Sequence, residues 1–305
     1  MSFHGLLLVN KPAGITSHDV VYAARRKLGI KSIGHTGTLD PFATGLMVLV
    51  LGEATKLSDY LRDGDKAYEC KVKLGLSTKT GDITGEVVRT ENVDVSKGQL
   101  EKAILKCQGH LELPVPIFSA IKKQGKKLYE YARDNQEVEL PIKSMSFFNL
   151  KILNLTTNEF SVHFHCSKGS YVRSWAQAVG QELNVPLTVE TLHRTHSSVY
   201  HIDQAIKLDQ LSEDAFQSPS FIPMKDCLPH YAAFTVKGKS KKLLTNGQIP
   251  HELDLRLGPH QRMAQKIGRS HFVRVLSGDS GELLSLIDVL PNAKSKIRRS
   301  FVVEK

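Results

Sequence analysis

The chain has 305 residues, 41% hydrophobic and 24% charged, a globular composition with enough apolar mass for one large or two unequal domains. It holds no membrane-length apolar run, no secretory leader and no Cys-x-x-Cys; cysteines 70, 107, 166 and 227 fit a reducing cytoplasm, not a disulfide framework or zinc ribbon. The net charge of +10 is uneven: residues 231–305 carry 14 Lys/Arg against 6 Asp/Glu, net +8, and the first 230 carry 27 against 25, net +2.

In chain order, Leu6–Val9 reads as a buried strand and Asn10–Gly14 as a turn. Ser17 is placed to cap a helix through Val20, Val21 and Ala24 that stops near Gly29. A glycine- and threonine-rich loop leads into Leu46–Leu51, a second buried strand, and then a short helix over Glu53–Leu61. In Tyr68–Leu74, residues Tyr68, Cys70, Val72 and Leu74 alternate with Glu69, Lys71 and Lys73, the pattern of a half-exposed strand. Ser77–Gly85 is a polar loop, and Ser96 with Gln99 has capping-box spacing before a helix over Leu100–Cys107. The basic segment Lys122–Lys127 is expected as a loop before a helix over Leu128–Asn135. Phe147–Leu155 and Phe160–Cys166 form a predicted hairpin, and Ser170 is placed to cap a helix over Tyr171–Leu183. Pro219, Pro223 and Pro229 punctuate an expected linker.

Strands and helices alternate without βαβ rhythm, which predicts a mixed α/β (α+β) fold: a largely antiparallel sheet flanked by helices. Domains are expected over residues 1–230 and 231–305. The basic surplus of the second reads as a polyanion footprint, with nucleic acid as its partner; composition does not separate RNA from DNA.

The loop Gly34-His-Thr-Gly-Thr-Leu-Asp40-Pro-Phe-Ala-Thr-Gly45 is the strongest local signal. Its glycines bend the backbone, and a lone carboxylate sits between leucine and proline at the entrance to a buried strand. A structural turn and a catalytic acid are both open on spacing alone. No Gly-x-x-x-x-Gly-Lys-Ser/Thr, Gly-x-Gly-x-x-Gly, His-Glu-x-x-His or Gly-x-Ser-x-Gly occurs, and no second Asp follows Asp40 at two residues. His163 and His165 share one face of a predicted strand, with no third ligand placed by the sequence, and read as surface histidines. An acid-centred site in a basic protein is what remains.

The Asp40 loop resembles the signature loop of the TruB family of tRNA pseudouridine synthases, and four further motifs resemble that family in order. They are Val9-Asn-Lys-Pro-Ala-Gly-Ile-Thr-Ser17; Lys66-Ala-Tyr68-Glu with Leu74-Gly-x-x-Thr78-x-Thr80-x-Asp82-x-x-Gly85; Ser119-Ala-Ile-Lys122-x-x-Gly125 leading to Tyr129 and Ala132-Arg133; and Ser167-Lys-Gly-Ser-Tyr171-Val-Arg173. The likeness covers residues 5 to about 200 and is looser in the last 75, which resemble a small PUA-like, β-rich RNA-binding domain.

The resemblance implies a pseudouridine synthase fold and isomerisation of the T-loop uridine at tRNA position 55, with the tRNA T-arm as partner. It implies no cofactor, metal, membrane or obligate protein partner, and a cytoplasmic monomer. Asp40 would be the catalytic carboxylate, as nucleophile or as electrostatic partner of the detached sugar. Tyr68 would stack on the target base near its C5 proton, and His35 would fill the space left when the base flips out. Arg173 would pair with Asp40; in the first turn of its helix, a cation facing the positive dipole end calls for an anion. Lys11, Gly37, Thr38, Lys122, Tyr171 and Leu192 would contact substrate.

Overall fold

Two apolar runs that do not alternate set the architecture: Leu6–Val9 in strand β1 (Gly5–Lys11) and Leu46–Leu51 in strand β2 (Thr44–Leu51). Such runs need cover on both faces. In the computed structural model, which describes residues 3–301, they have it. Leu7, Val9, Met47, Leu49 and Leu51 join the main core with helix α1 (Ser17–Leu28), while Leu6, Leu8, Leu46, Val48 and Val50 pack against Leu283, Leu286 and Phe301 of the C-terminal sheet.

The main sheet adds β3 (Lys66–Leu74), β4 (Gly109–Pro114), β5 (Ile142–Leu155), β6 (Glu159–Cys166) and β7 (Leu187–Ser197). Its main order is Ile206–Lys207, β1, β2, β7, β3, β6, β5, β4. Strands pair in parallel where β1 meets Ile206–Lys207 and where β2 meets β7, and a single parallel bridge joins Val189 of β7 to Asp82, so the sheet is mixed and largely antiparallel, as expected. Helix α2 (Lys97–Lys106) is capped by Ser96 and Gln99 in the predicted box. Helix α3 (Val172–Leu183) lies on β5 and β6, with the Trp175 ring 4.9 Å from that of Phe164 and its indole N–H donating to the Cys107 carbonyl.

Several expectations are corrected. Thr16, not Ser17, caps α1, in a box with Asp19. Ser170 does not cap α3; Tyr171 holds that position without a side-chain bond, and Ser170 Oγ bonds Ser167 Oγ. The Glu53–Leu61 helix divides into a 3-10 segment, Gly52–Leu57, and a short α-helix, Ser58–Arg62. Lys122–Lys127 is a two-stranded hairpin, turning at Gln124 and Gly125 with both φ positive, as type I′ turns require. The proline-marked linker is no linker: Phe221–Pro223 pairs with β1, and Cys227 and Leu228 are buried.

The C-terminal sheet runs in order through β8 (Ala233–Val236), β9 (His271–Ser277), β10 (Leu283–Val289) and β11 (Lys296–Ser300). Two helices that the sequence reading did not place, α4 (Gly238–Thr245) and α5 (His251–Ile267), cover its other face through Leu244, Leu253, Leu257 and Ala264. Among the described residues no helix is long and apolar enough to cross a membrane.

Candidate active site

The Asp40 loop is fixed almost atom by atom. Between Gly37 and Pro41 every backbone carbonyl accepts a hydrogen bond. Arg194 donates to Gly37 at 3.2 Å and Thr38 at 3.4 Å, and Ser17 Oγ donates to Leu39 at 3.0 Å. The Ala43 amide donates to Asp40 at 3.1 Å; Lys11 Nζ at 3.1 Å and the Gly14 amide at 2.9 Å donate to Pro41. Ser17 Oγ also accepts from the Leu39 amide at 2.8 Å, so the residue expected as a helix cap instead fastens the loop from inside the core. Lys11 Nζ adds the Ala43 carbonyl at 2.7 Å. A lysine with no exposed surface would carry its charge at a severe desolvation cost, and burial pushes its pKa down to about 8.

At the exit of this loop β2 approaches β7 so closely that Gly45 admits no side chain. Its φ is +104°, and a Cβ there would lie 2.4 Å from the Arg194 carbonyl oxygen. That explains the third glycine of the motif.

Asp40 meets Arg173 in a two-pronged pair, Nε to Oδ2 at 2.9 Å and Nη2 to Oδ1 at 3.2 Å. The pairing expected for this arginine is therefore present. Arg173 is buried and does more: Nη1 donates to the Thr80 carbonyl at 2.9 Å and Nη2 to the Phe118 carbonyl at 3.0 Å. One guanidinium thus gathers three segments far apart in sequence around one carboxylate. Burial raises the pKa of Asp40 above the ordinary carboxylate value, while Arg173 and, more weakly, Lys11 pull it back. The carboxylate retains 32% exposure, enough to face a ligand.

Asp40 forms part of the wall of a cavity of about 540 Å³ together with Tyr68, Arg173, Gly37, Thr38, Tyr171, Leu192 and Arg194. Tyr68 reaches it from β3, where it stands opposite Arg194 of β7 and Phe164 of β6. Burial raises the Tyr68 pKa, so the phenol is protonated at neutral pH. Arg62, Lys66, Lys143 and Lys168 also line the cavity, so among the described residues Asp40 is the one carboxylate in a lining otherwise rich in cations.

Three expected site residues lie outside the cavity lining. Lys11 is beneath the loop, as described. Lys122 is exposed on the 122–127 hairpin. His35 ends the short strand Ile33–His35 beside the His18 ring, 5.8 Å away. Its Nδ1 is buried without a partner among the described residues, and burial lowers its pKa to about 4, leaving it neutral at pH 7. Ser17 and Arg194 were missed because each looked ordinary, a cap candidate and one basic residue in a polar run. His163 and His165 do share a face, continued by His196 and His201; among the described residues no group of three or more potential ligands is arranged to hold a metal.

The profile of the TruB family pseudouridylate synthase N-terminal domain matches residues 25–172, which include Asp40, Tyr68 and all of the intervening cavity wall. A relative named tRNA pseudouridine synthase B, from Bdellovibrio bacteriovorus, is 43% identical over 98% of this chain and 97% of its own. The chain belongs to the TruB family of pseudouridylate synthases. A tRNA pseudouridine synthase B from Bacillus cereus is 38% identical over 82% of this chain and 86% of its own. Among solved structures, a chain of a Cbf5–Nop10–Gar1 complex superposes with a TM-score of 0.70 at 21% identity, covering 99% of this chain and 84% of that one. A chain of an H/ACA RNP bound to a substrate RNA gives 0.69 at 17%, over 98% and 86%. These two share the fold. As a TruB-family member the chain is a pseudouridine synthase, an isomerase.

Proposed function

We propose that this enzyme converts the T-loop uridine at position 55 of tRNA to pseudouridine, with Asp40 as the reacting carboxylate. The observation that carries this reading is the Asp40–Arg173 pair, on a loop whose Gly37–Pro41 carbonyls are all held, in the wall of a cavity also lined by Arg62, Lys66, Lys143 and Lys168. The reaction breaks the C1′–N1 bond, turns the base and joins C1′ to C5. The C5 proton leaves and N1 gains one, so atoms and electrons balance within the nucleotide. An ionised carboxylate aimed at the sugar suits either attack on C1′ or stabilisation of positive charge developing there.

Tyr68 has the reach to stack on the base, and its protonated phenol borders the place where C5 would lie. The target lies inside folded RNA, so the nucleotide must flip out at a cost of a few kcal/mol. His35, neutral and with a free buried acceptor or donor at Nδ1, is suited to the space it vacates. Gly37, Thr38, Tyr171 and Leu192 shape the pocket, Lys122 meets RNA at the rim, and Lys11 acts by holding the loop. Residues 1–230 form the catalytic domain and the basic 231–305 module binds the RNA backbone. The enzyme works as a cytoplasmic monomer.

The decisive test incubates purified protein with an unmodified tRNA transcript and maps pseudouridine nucleotide by nucleotide. Modification at position 55 is expected. Product at another position, or none, overturns the substrate assignment.

A further inference from the structure

Arg194 is 2% exposed; it donates to three backbone carbonyls and also bonds the Tyr68 phenol. Nη2 and Nη1 reach Gly37 and Thr38, just before Asp40, and Nε reaches Leu46, just after the loop, at 2.6 Å. The same guanidinium borders the Tyr68 phenol across the β7–β3 pairing and favours its ionised form against burial. It therefore touches both ends of the Asp40 loop and the strand that presents Tyr68. A charge removed from water in this way is expensive unless every donor is used. A structural core would gain more from an apolar side chain of like volume.

The backbone is shaped to put it there. β7 carries a register shift between Arg194 and His196 against β3, and a bulge of this kind redirects a side chain. The parallel contact of β7 with β2 is confined to His193–Thr44 and Arg194–Gly45, where only glycine admits the Arg194 backbone. The requirement is for arginine, because three separated N–H groups in one plane reach carbonyls on two segments. A lysine ammonium is a single point.

We propose that Arg194 is a positioning residue of the reaction, clamping the Asp40 loop at both ends and setting it against Tyr68. This rests on reading Asp40 as the reacting carboxylate. The titratable groups that feel its charge are Lys11, Lys66, His35, Tyr68 and Cys166, and it lowers the proton affinity of each.

The test uses the full-length enzyme and single-turnover pseudouridine formation. Arg194→Lys keeps the charge and should fold with an unchanged circular-dichroism spectrum. Its rate at saturating tRNA should fall about 100-fold, the scale of an ångström-sized misplacement, with tRNA Kd within about threefold. Arg194→Ala opens a guanidinium-sized space, and added guanidinium ion should restore part of its rate while leaving Kd unmoved. Wild-type turnover by Arg194→Lys overturns the proposal. So does a rate loss that only tracks loss of folded protein or of binding, with no recovery on adding guanidinium. Asp40→Asn is assayed in parallel. If it stays active, the reading of Asp40 fails; if it is inactive while Arg194→Lys is normal, only the role of Arg194 fails.

Discussion

The Asp40 loop lines the cavity and the 122–127 hairpin follows the lining residues Phe118–Ala120 in the chain, and the two are built in opposite ways. The loop is held from below by Lys11, Ser17 and Arg194, all buried, through bonds to its main chain. The hairpin is held by half-buried lysines that reach exposed acids of the following segment: Lys126 pairs with Asp134 and Lys123 with Glu139 at 3.1 Å, while Lys127 lies over the Tyr129 ring at 5.3 Å. Surface pairs of that kind contribute at most about 1 kcal/mol each and weaken with salt. The contrast separates two tasks. A group that reacts must be placed to within a fraction of an ångström, whereas a group that meets phosphates needs charge and reach.

The comparison breaks most visibly at Asp40 itself. Asp40→Asn is nearly isosteric and should abolish isomerisation while leaving tRNA binding within about tenfold, because phosphate contacts dominate affinity. Pseudouridine formation by this variant at a comparable rate would remove the reacting role of the loop altogether.

Arg173 comes next. Arg173→Lys retains charge but loses the fork, and turnover should fall far more than tRNA affinity. Arg173→Ala removes the main group opposing burial, so the Asp40 pKa should rise further. Since the carboxylate acts when ionised, activity is present above its pKa and lost as pH falls through it. The acid limb of the pH–rate profile should therefore move to higher pH in Arg173→Ala. An unmoved limb would mean that Asp40 is not the titrating group.

Ser17 gives a smaller effect with the same logic. Ser17→Ala leaves the Leu39 amide and carbonyl without their partner in the core, a loss of about 1–3 kcal/mol. Thermal melting should register it, and single-turnover rate should fall at unchanged Kd. A normal rate would show that the loop tolerates slack.

Lys11 sharpens the picture by pH. Its folded pKa near 8 lies below the unfolded value of 10.5. Between those values the unfolded chain binds the proton that the folded chain lacks, so this group makes stability rise with pH across that window. Activity should move the other way, declining above pH 8 as Nζ loses a donor to the loop. Lys11→Met should lack both trends in paired rate and melting profiles.

The smallest catalytic effect is expected at the rim. Replacing Lys122, Lys123, Lys126 and Lys127 by Gln should weaken tRNA binding and flatten the log–log salt slope by up to about 3. Turnover at saturating RNA should hardly change. A large fall in saturated turnover would erase the distinction between loop and hairpin.

Much of this protein was legible in its sequence because the signals are local. The apolar runs Leu6–Val9 and Leu46–Leu51, the alternation in Tyr68–Leu74 and the Ser96–Gln99 box each depend on neighbours a few residues away, and each forms the element expected. The five ordered motifs carried the family, and the dipole at the start of α3 called for an anion near Arg173. Tertiary structure alone decided the rest. β7 was missed because its buried positions include Thr188, Arg194, Thr195 and Ser197, whose polarity hides a strand that is paired on both sides. The proline-marked segment at 219–229 looked like a linker because nothing local reveals that Phe221–Pro223 would pair with β1. Ser17, Lys11 and Arg194 became loop fasteners only when the chain brought them 22, 32 and 157 residues across to the carbonyls they hold. A backbone carbonyl has no letter in the sequence, so a side chain whose whole function is to bind one is recognised only when the fold has closed.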